Sequence, residues 1–246
     1  MASPAHLFSV EPGEQIRYRS EKGHSGNMIF RGENPGRGAT IDYWLEEEGT
    51  EVSLSILDEG GQRVAALPAG DGEGVNRVLW NLRHTLEGQD EDQPPRGPLV
   101  VPGMYTLRLN GGGVTSETPL EVREDPRLEV DPEVRAQWTA DLLALAKLGA
   151  EAVAGAEAME ELSGTLEEGA DASQAVKEEA GDLLRQWREL SSRTRRLQGE
   201  VESWVGPLTA QQRSQRAYYQ EMLETLQREM ENLTTRMGGI RGERIP

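Results

Sequence analysis

Cysteine is missing from this chain of 246 residues. Without a thiol the protein can form no disulfide, no thiolate nucleophile and no cysteine-ligated zinc site. Bacterial proteins without disulfides occur both inside and outside the cell, so the compartment stays open. The absence therefore excludes classes of chemistry and not a location.

Basic residues are scarce relative to acidic ones. The chain has 26 lysines and arginines against 43 aspartates and glutamates, which gives a formal net charge of -17. The densest basic run, Arg193, Arg195 and Arg196, lies within a predicted helix. A negative charge of this size repels nucleic-acid phosphates and anionic lipid surfaces. We therefore expect neither nucleic acid nor a membrane as a partner.

Long apolar runs are also missing. No segment approaches the roughly 18 consecutive apolar residues that indicate a transmembrane helix. The start of the chain, Met1 to Phe8, has neither a basic region nor a long apolar stretch, so we expect no signal peptide. The sequence by itself predicts a soluble chain of unknown location.

Residue patterns for metal or nucleophilic chemistry are weak. The three histidines, His6, His24 and His84, are far apart and show no paired metal-ligand spacing. The loop around His24 and Ser25 resembles a nucleophile elbow but lacks its final glycine and a preceding apolar strand. We predict a loop there, with no catalytic residue, no metal and no cofactor in the chain.

Acidic loops are the other candidates for a metal site. Asp71 and Glu73 form one such loop, and residues 87–92 contain four more carboxylates. Neither has the regular ligand alternation and glycine placement of a known calcium loop. We therefore interpret both as solvated turns.

The first half of the chain alternates apolar and polar residues with a period of two, which is typical of half-buried strands. Turn residues separate seven or so such segments at intervals of about ten residues. This predicts an antiparallel β-sandwich of immunoglobulin or fibronectin type III character over residues 38–125. Residues 1–37 are predicted to be an extended arm with a strand near 27–31 and a turn at 33–36. The clearest alternating sets are Ile41, Tyr43 and Leu45; Val52, Leu54 and Ile56; Val78, Trp80 and Leu82; and Tyr105, Leu107 and Leu109.

From Asp131 the apolar residues recur at spacings of three and four, which predicts helices. Asp131 is a good N-cap with Pro132 at the first helical position, and Asp171 can cap a second helix. Thr209 and Gln212 form a capping-box pattern before a third. We predict an antiparallel three-helix bundle over 131–240, with helices at about 132–162, 172–205 and 209–238. The fold class is thus α+β with two domains.

Apart from Trp80 in its alternating set, the tryptophans divide into two groups. By alternation Trp44 points away from Ile41, Tyr43 and Leu45, and so toward solvent or a partner; it is a candidate ligand-binding residue, as a sugar platform or docking contact. The alternative is that the arm or the helices cover it. Trp138, Trp187 and Trp204 lie on helical stripes and are predicted to be core residues.

Several motifs carry a resemblance to a known family. They are Arg31-Gly32-Glu33-Asn34-Pro35, the strand from Ala39 to Leu45, Gly74-Val75-Asn76-Arg77 with Trp80-Asn81-Leu82-Arg83, Pro102-Gly103-Met104-Tyr105-Thr106-Leu107, Glu121-Val122-Arg123-Glu124-Asp125-Pro126-Arg127 and Leu208-Thr209-Ala210-Gln211-Gln212. From about Phe8 to Met237 the chain resembles the C-terminal region of bacterial proteins built on a sortilin-like or sialidase-type β-propeller, often labelled glycosyl hydrolases.

The resemblance implies an Ig-like sandwich followed by a helical tail, in relatives that look exported to the periplasm or the extracellular space. No Asp-box repeat of the propeller occurs here, so no catalytic residue is carried over. We therefore expect a non-catalytic accessory or protein-interaction module, and a protein partner or self-association.

One surface of the predicted bundle is a candidate for such a contact. Its residues, Leu148, Val153, Leu184 and Tyr218, flank the apolar stripes (the seams) along which the predicted helices pack. They either form a docking surface or widen the seams.

The alternative function is carbohydrate binding through the sandwich face that carries Trp44.

Overall fold

The computed structural model describes residues 3–16, 36–168 and 173–242, and the chain divides into two compact units, Met1–Asp131 and Pro132–Pro246. The described part of the first unit contains strands, and that of the second contains helices. The α+β class predicted from the sequence is confirmed.

The first unit contains eight strands in two sheets within its described residues. They are β1 (Ala5–Leu7), β2 (Gly13–Glu14), β3 (Ala39–Leu45), β4 (Val52–Leu57), β5 (Arg63–Leu67), β6 (Gly74–Trp80), β7 (Gly103–Gly111) and β8 (Val114–Arg123). Sheet A has the order β1-β3-β6, and sheet B has the order β2-β8-β7-β4-β5. The pairing of β2 with β8 is parallel, and the other pairings are antiparallel.

Strand alternation places one face of each sheet in a shared core. Trp80 is fully buried there; its ring meets Tyr105 edge-on at 5.9 Å between centroids, and its Nε1 donates to the Arg83 carbonyl at 3.0 Å. Leu82 is buried too, but it lies beyond the end of β6 with φ 59°. It therefore reaches the core from a turn and not from the predicted strand.

Part of the predicted arm is built into the sheets. Strand β1 pairs with β3, and β2 pairs with β8, so the described residues of the arm contribute to both sheets. Ala5 and Leu7 are buried in the shared core. The strand predicted near 27–31 and the loop with His24 and Ser25 lie outside the described residues.

Tyr43 links the core to the loop before β6. Its side chain is buried, and its hydroxyl donates a hydrogen bond to the Gly70 carbonyl at 2.5 Å. Burial raises the pKa of the Tyr43 hydroxyl, because the charged phenolate loses its hydration.

The shifted pKa predicts a loss of stability in alkali. The neutral phenol stabilises the fold fully below the unfolded pKa of about 10, and this contribution disappears as the pH rises through the folded pKa. Between about pH 8 and pH 11 the wild type should therefore lose more unfolding free energy than Tyr43→Phe. Urea titrations of both proteins measure the difference, and equal losses would contradict the prediction.

The second unit consists of α1 (Pro132–Glu168), α2 (Gln174–Glu202) and α3 (Ala210–Gly242), which share one apolar core. The predicted capping box is confirmed: Thr209 N–H donates to Gln212 Oε1 at 2.9 Å, and Gln212 N–H donates to Thr209 Oγ1 at 3.2 Å. Ser173 is the N-cap of α2, accepting from Val176 N–H. The predicted cap, Asp171, lies outside the described residues.

The C-terminal ends of all three helices differ from their predictions. Helix α3 passes the predicted end at 238 and continues to Gly242. Helix α1 passes Gly164 and continues to Glu168, since a single glycine weakens a helix without ending it. Helix α2 ends at Glu202. Trp204 consequently falls in the following turn and is 79% exposed, so its assignment to the core was wrong. Trp138 and Trp187 are buried as predicted.

The two buried tryptophans of this unit differ in their polar atoms. Trp138 Nε1 donates to the Val201 carbonyl at 2.9 Å, whereas Trp187 Nε1 is buried without a hydrogen-bond partner. Trp138→Phe should therefore lower the unfolding free energy by about 1 kcal/mol more than Trp187→Phe, because only the first change removes a hydrogen bond. Urea denaturation of both variants tests this, and a larger loss for Trp187→Phe would refute it.

Candidate interaction surface

The face of sheet A that points away from the shared core carries exposed apolar side chains. Val75 is 66% exposed, Leu79 44% and Phe8 37%, although all three are large apolar residues. We call this surface the outer face of sheet A; its residues are His6, Phe8, Thr40, Asp42, Trp44, Val75, Arg77 and Leu79.

Strand register places Trp44 between His6 and Val75. His6 on β1 and Val75 on β6 are the direct cross-strand neighbours of Trp44. The His6 ring also meets Phe8 edge-on, at 4.9 Å between centroids. Trp44 itself is half-buried, while its neighbours Tyr43 and Leu45 in the chain are fully buried. Trp44 thus lies on the outer face, as alternation predicts, and is partly accessible.

An ion pair occupies the middle of the outer face. Arg77 donates from Nε to Asp42 Oδ1 at 2.7 Å and from Nη2 to Asp42 Oδ2 at 2.8 Å. The hydrogen bonds from Arg77 hold the pKa of Asp42 below its usual range, because they stabilise the carboxylate. The Arg77 side chain remains 71% exposed. A charged, accessible group therefore lies among apolar neighbours.

The outer face of sheet B is different. Its central rows are polar, and their side chains pair with each other. Asn110 Nδ2 donates to Ser53 Oγ at 3.2 Å, Thr115 Oγ1 donates to Asn110 Oδ1 at 2.8 Å, and Arg108 Nε donates to Glu117 Oε1 at 2.7 Å. The central rows of sheet B are thus suited to contact with water, and its exposed apolar residue, Met104, lies near the start of β7. On the outer face of sheet A, by contrast, Phe8, Val75 and Leu79 are exposed together.

Carboxylates border one end of sheet A. Leu45 and Gly74 form the last pair of β3 with β6, and an acidic loop continues from each strand. The two loops meet through a hydrogen bond from Gly49 N–H to the Asp71 carbonyl at 2.9 Å. We call this border the acidic rim; its exposed acidic residues are Glu46, Glu47, Glu48, Glu51, Asp71 and Glu73.

Other acidic loop residues have structural partners. Arg63 forms an ion pair with Glu91 at 2.6 Å, and Asp90 Oδ1 accepts from Asp92 N–H at 3.0 Å. Within residues 3–16, 36–168 and 173–242, no group of three or more histidine, aspartate or glutamate side chains is placed to hold a metal ion.

The four residues that flank the predicted seams differ in how deeply they are buried. Leu148 is buried, Val153 and Leu184 are half-buried, and Tyr218 is 55% exposed. Leu148 therefore widens the core, and among the four only Tyr218 is largely available for contact.

No helix in the part of the chain that the structure describes has the length and apolarity needed to cross a membrane.

Sequence reasoning identified Trp44 but missed Val75 and Leu79. Both alternate with Val78 and Trp80 along β6, so the period of two already placed them on the opposite side of the strand from the core.

Comparison of the chain with protein-family models, curated proteins and solved structures finds no match in any of the three.

Proposed function

We propose that this chain is a non-catalytic protein-interaction module that binds another protein through the outer face of sheet A. The observation that carries the proposal is the exposure of Phe8, Val75 and Leu79 around Trp44. Exposed apolar clusters rimmed by polar groups are typical of protein interfaces. Tryptophan and arginine, here Trp44 and Arg77, are the residue types that contribute most often to binding energy there.

We infer that the first unit is an Ig-like sandwich and the second an antiparallel three-helix bundle, as the resemblance to propeller-containing exported proteins implies. The core shared by two sheets supports the first inference. Ion pairs between α1 and α2 support the second, since Glu160 pairs with Arg188 and the later Glu167 with the earlier Lys177. In this proposal the module is an accessory of a propeller or of another chain.

Affinity purification from the producing cells tests the proposal. The variant Val75→Glu/Leu79→Glu places two charges on the outer face of sheet A. The control Ser53→Glu/Thr115→Glu adds the same charge to the polar face of sheet B. We expect a protein recovered with the wild type and the control to be lost from the first variant, because charges are costly to bury in an apolar interface. Equal recovery by all three proteins, with equal melting temperatures, would refute the proposed surface.

The absence of catalysis is tested separately. Purified chain should leave glycoside, ester and peptide substrates at background rates. Turnover that one substitution in this chain abolishes would show that the module is an enzyme.

Carbohydrate binding is the second candidate, and the partial exposure of Trp44 favours it. Aromatic rings can serve as apolar platforms for sugars, and His6 and Arg77 lie nearby to form hydrogen bonds. A glycan array probed with wild type and Trp44→Ala separates the two functions. Glycan binding that is lost in Trp44→Ala would support this candidate, and an array without binding would remove it.

A further inference from the structure

Strand β6 lies at an edge of sheet A. The order β1-β3-β6 leaves one side of β6 without a strand partner among the described residues. An edge strand presents unpaired backbone N–H and C=O groups, to which an extended segment of another protein can add. The residues that offer these groups follow from the hydrogen bonding of β3.

Backbone hydrogen bonds between β1 and β3 show which β3 residues point their N–H and C=O groups toward β1 and which point them toward β6. Phe8 N–H donates to the Asp42 carbonyl at 3.2 Å, and Glu46 N–H donates to the Pro4 carbonyl at 3.0 Å. The even-numbered residues of β3 therefore point their backbone groups toward β1. Successive residues of a strand point their backbone N–H and C=O groups to opposite sides, so the odd-numbered residues of β3 form their hydrogen bonds with β6.

Odd-numbered β3 residues pair with the even-numbered residues of β6, among them Asn76 and Val78. The N–H and C=O groups of Val75, Arg77 and Leu79 consequently point to the open edge. The side chains of the same three residues are exposed on the outer face of sheet A. A strand added to β6 would bond with these three residues and place its own outer side chains beside Val75 and Leu79.

Among the described residues, the edge has none of three common protections against such pairing. Natural edge strands are blocked by proline, lysine or a β-bulge. Strand β6 contains neither proline nor lysine, and its register with β3 is unbroken. Its one charged side chain, Arg77, is held by Asp42 on the β3 side. In the part of the chain that the structure describes, these devices therefore do not close the edge to an added strand.

Charge indicates what the added strand contains. The acidic rim begins where β6 begins, at Gly74, and has no basic residue in either of its loops, 46–51 and 68–73. A second copy of this chain would bring another charge of -17 and the same rim. Like charges oppose association, whereas lysine or arginine at one end of the added strand is complementary to the rim.

We propose that the open edge of β6 binds an extended segment of a partner protein, with apolar residues facing the outer face of sheet A and basic residues against the acidic rim. This inference rests on the proposed function and adds the mode of binding and the chemistry of the partner.

Amide exchange in the full chain tests the pairing directly. The probes are peptides of about nine residues that alternate valine and threonine, carry two lysines at one or the other end, and have blocked termini. Exchange followed by nuclear magnetic resonance should show new protection at the amides of Val75, Arg77 and Leu79. The amides of Asn76 and Val78, which already bond within sheet A, should stay unchanged. Peptides with two glutamates in place of the lysines should bind at least about tenfold more weakly.

Two variants separate edge pairing from contact with the face. Val75→Pro removes an edge N–H without removing a bond of sheet A, and proline is tolerated on edge strands. Val75→Thr keeps the N–H and the branched shape. We expect the lysine peptide to lose binding to Val75→Pro and to retain it with Val75→Thr.

Several results would overturn the inference. The edge amides could be protected already in the free monomer, or their protection could rise with chain concentration alone because a second copy pairs with the edge. The lysine and glutamate peptides could bind equally well. Finally, no peptide could protect the amides of Val75, Arg77 and Leu79. If a natural partner is still lost in Val75→Glu/Leu79→Glu, the proposed function stands without strand addition. If that partner is retained, the proposed function fails as well.

Discussion

Alanine at Gly155 is expected to lower the free energy of unfolding of the helical unit by about 3 kcal/mol. A Cβ at this position would lie 2.3 Å from Trp187 Cζ3 and 2.4 Å from Cε3. Trp187 is 1% exposed and so has no room to move its ring without separating α1 from α2. Alanine normally stabilises a helix interior by about 1 kcal/mol relative to glycine, but the overlap outweighs this gain.

Gly149 provides the control on the same helix. A Cβ there would meet Thr194 Oγ1 at 3.5 Å, an ordinary contact distance. Gly149→Ala should therefore stabilise the helical unit by up to about 1 kcal/mol. Circular dichroism of the full chain during urea unfolding measures both variants. The double variant Gly155→Ala/Trp187→Leu should lose less than the sum of the two single losses, because the two sites are in contact. A Gly155→Ala protein as stable as wild type would contradict the packing.

Alanine at Gly38 should destabilise the strand unit by about 3 kcal/mol or more. Gly38 has φ 125°, a conformation that a residue with a Cβ rarely adopts. The added Cβ would also lie 1.9 Å from the Trp80 carbonyl oxygen, which belongs to the backbone at the end of β6. The overlap cannot be relieved by a side-chain rotation, so β3 or β6 must shift.

Gly49 is a control for positive φ without a close contact. It also has positive φ, at 75°, but nothing lies within 4 Å of an added Cβ. Gly49→Ala should therefore show the cost of the backbone conformation alone, about 1 kcal/mol. Three of the five tryptophans lie in the helical unit, so fluorescence would mix the two units. Nuclear magnetic resonance signals of the β3 and β6 amides, followed during urea unfolding, report the strand unit alone. Equal losses for Gly38→Ala and Gly49→Ala would show that the contact with Trp80 is unimportant.

Helices and strands were predictable from the sequence where apolar residues recurred with a strict period over several helical turns or strand residues. The alternation around Tyr43 and Trp80 and the seams through Trp138 and Trp187 agree with burial in the structure. These patterns are local, because the period of a segment determines which of its side chains share a face. The capping box at Thr209 was predictable for the same reason.

Features that depend on distant segments were not predictable. Strands β1 and β2 are short, and β2 gains its place through parallel pairing with β8, more than a hundred positions later. Trp204 continues the rhythm of α2, but the helix ends before it, so periodicity carried the prediction too far. The ring of Trp187 meets Gly155 only after two helices pack, and spacing alone does not show that contact.

For the candidate surface, the sequence placed Trp44 on the correct side of its strand but left its surroundings undetermined. Val75 and His6 become its neighbours through the register of three strands that are separated in the chain. The exposure of this face also depends on which segments cover it, and alternation contains no information about that.

Photo-crosslinking at position 75 tests the central claim most directly. A photoreactive amino acid replaces Val75 in the full chain, and the control carries it at Ser53, which is exposed on the polar face of sheet B. After irradiation of the producing cells, a discrete adduct with another protein is expected at position 75 and not at position 53. Adducts at both positions alike, or none at position 75, would contradict the claim that the outer face of sheet A binds a protein.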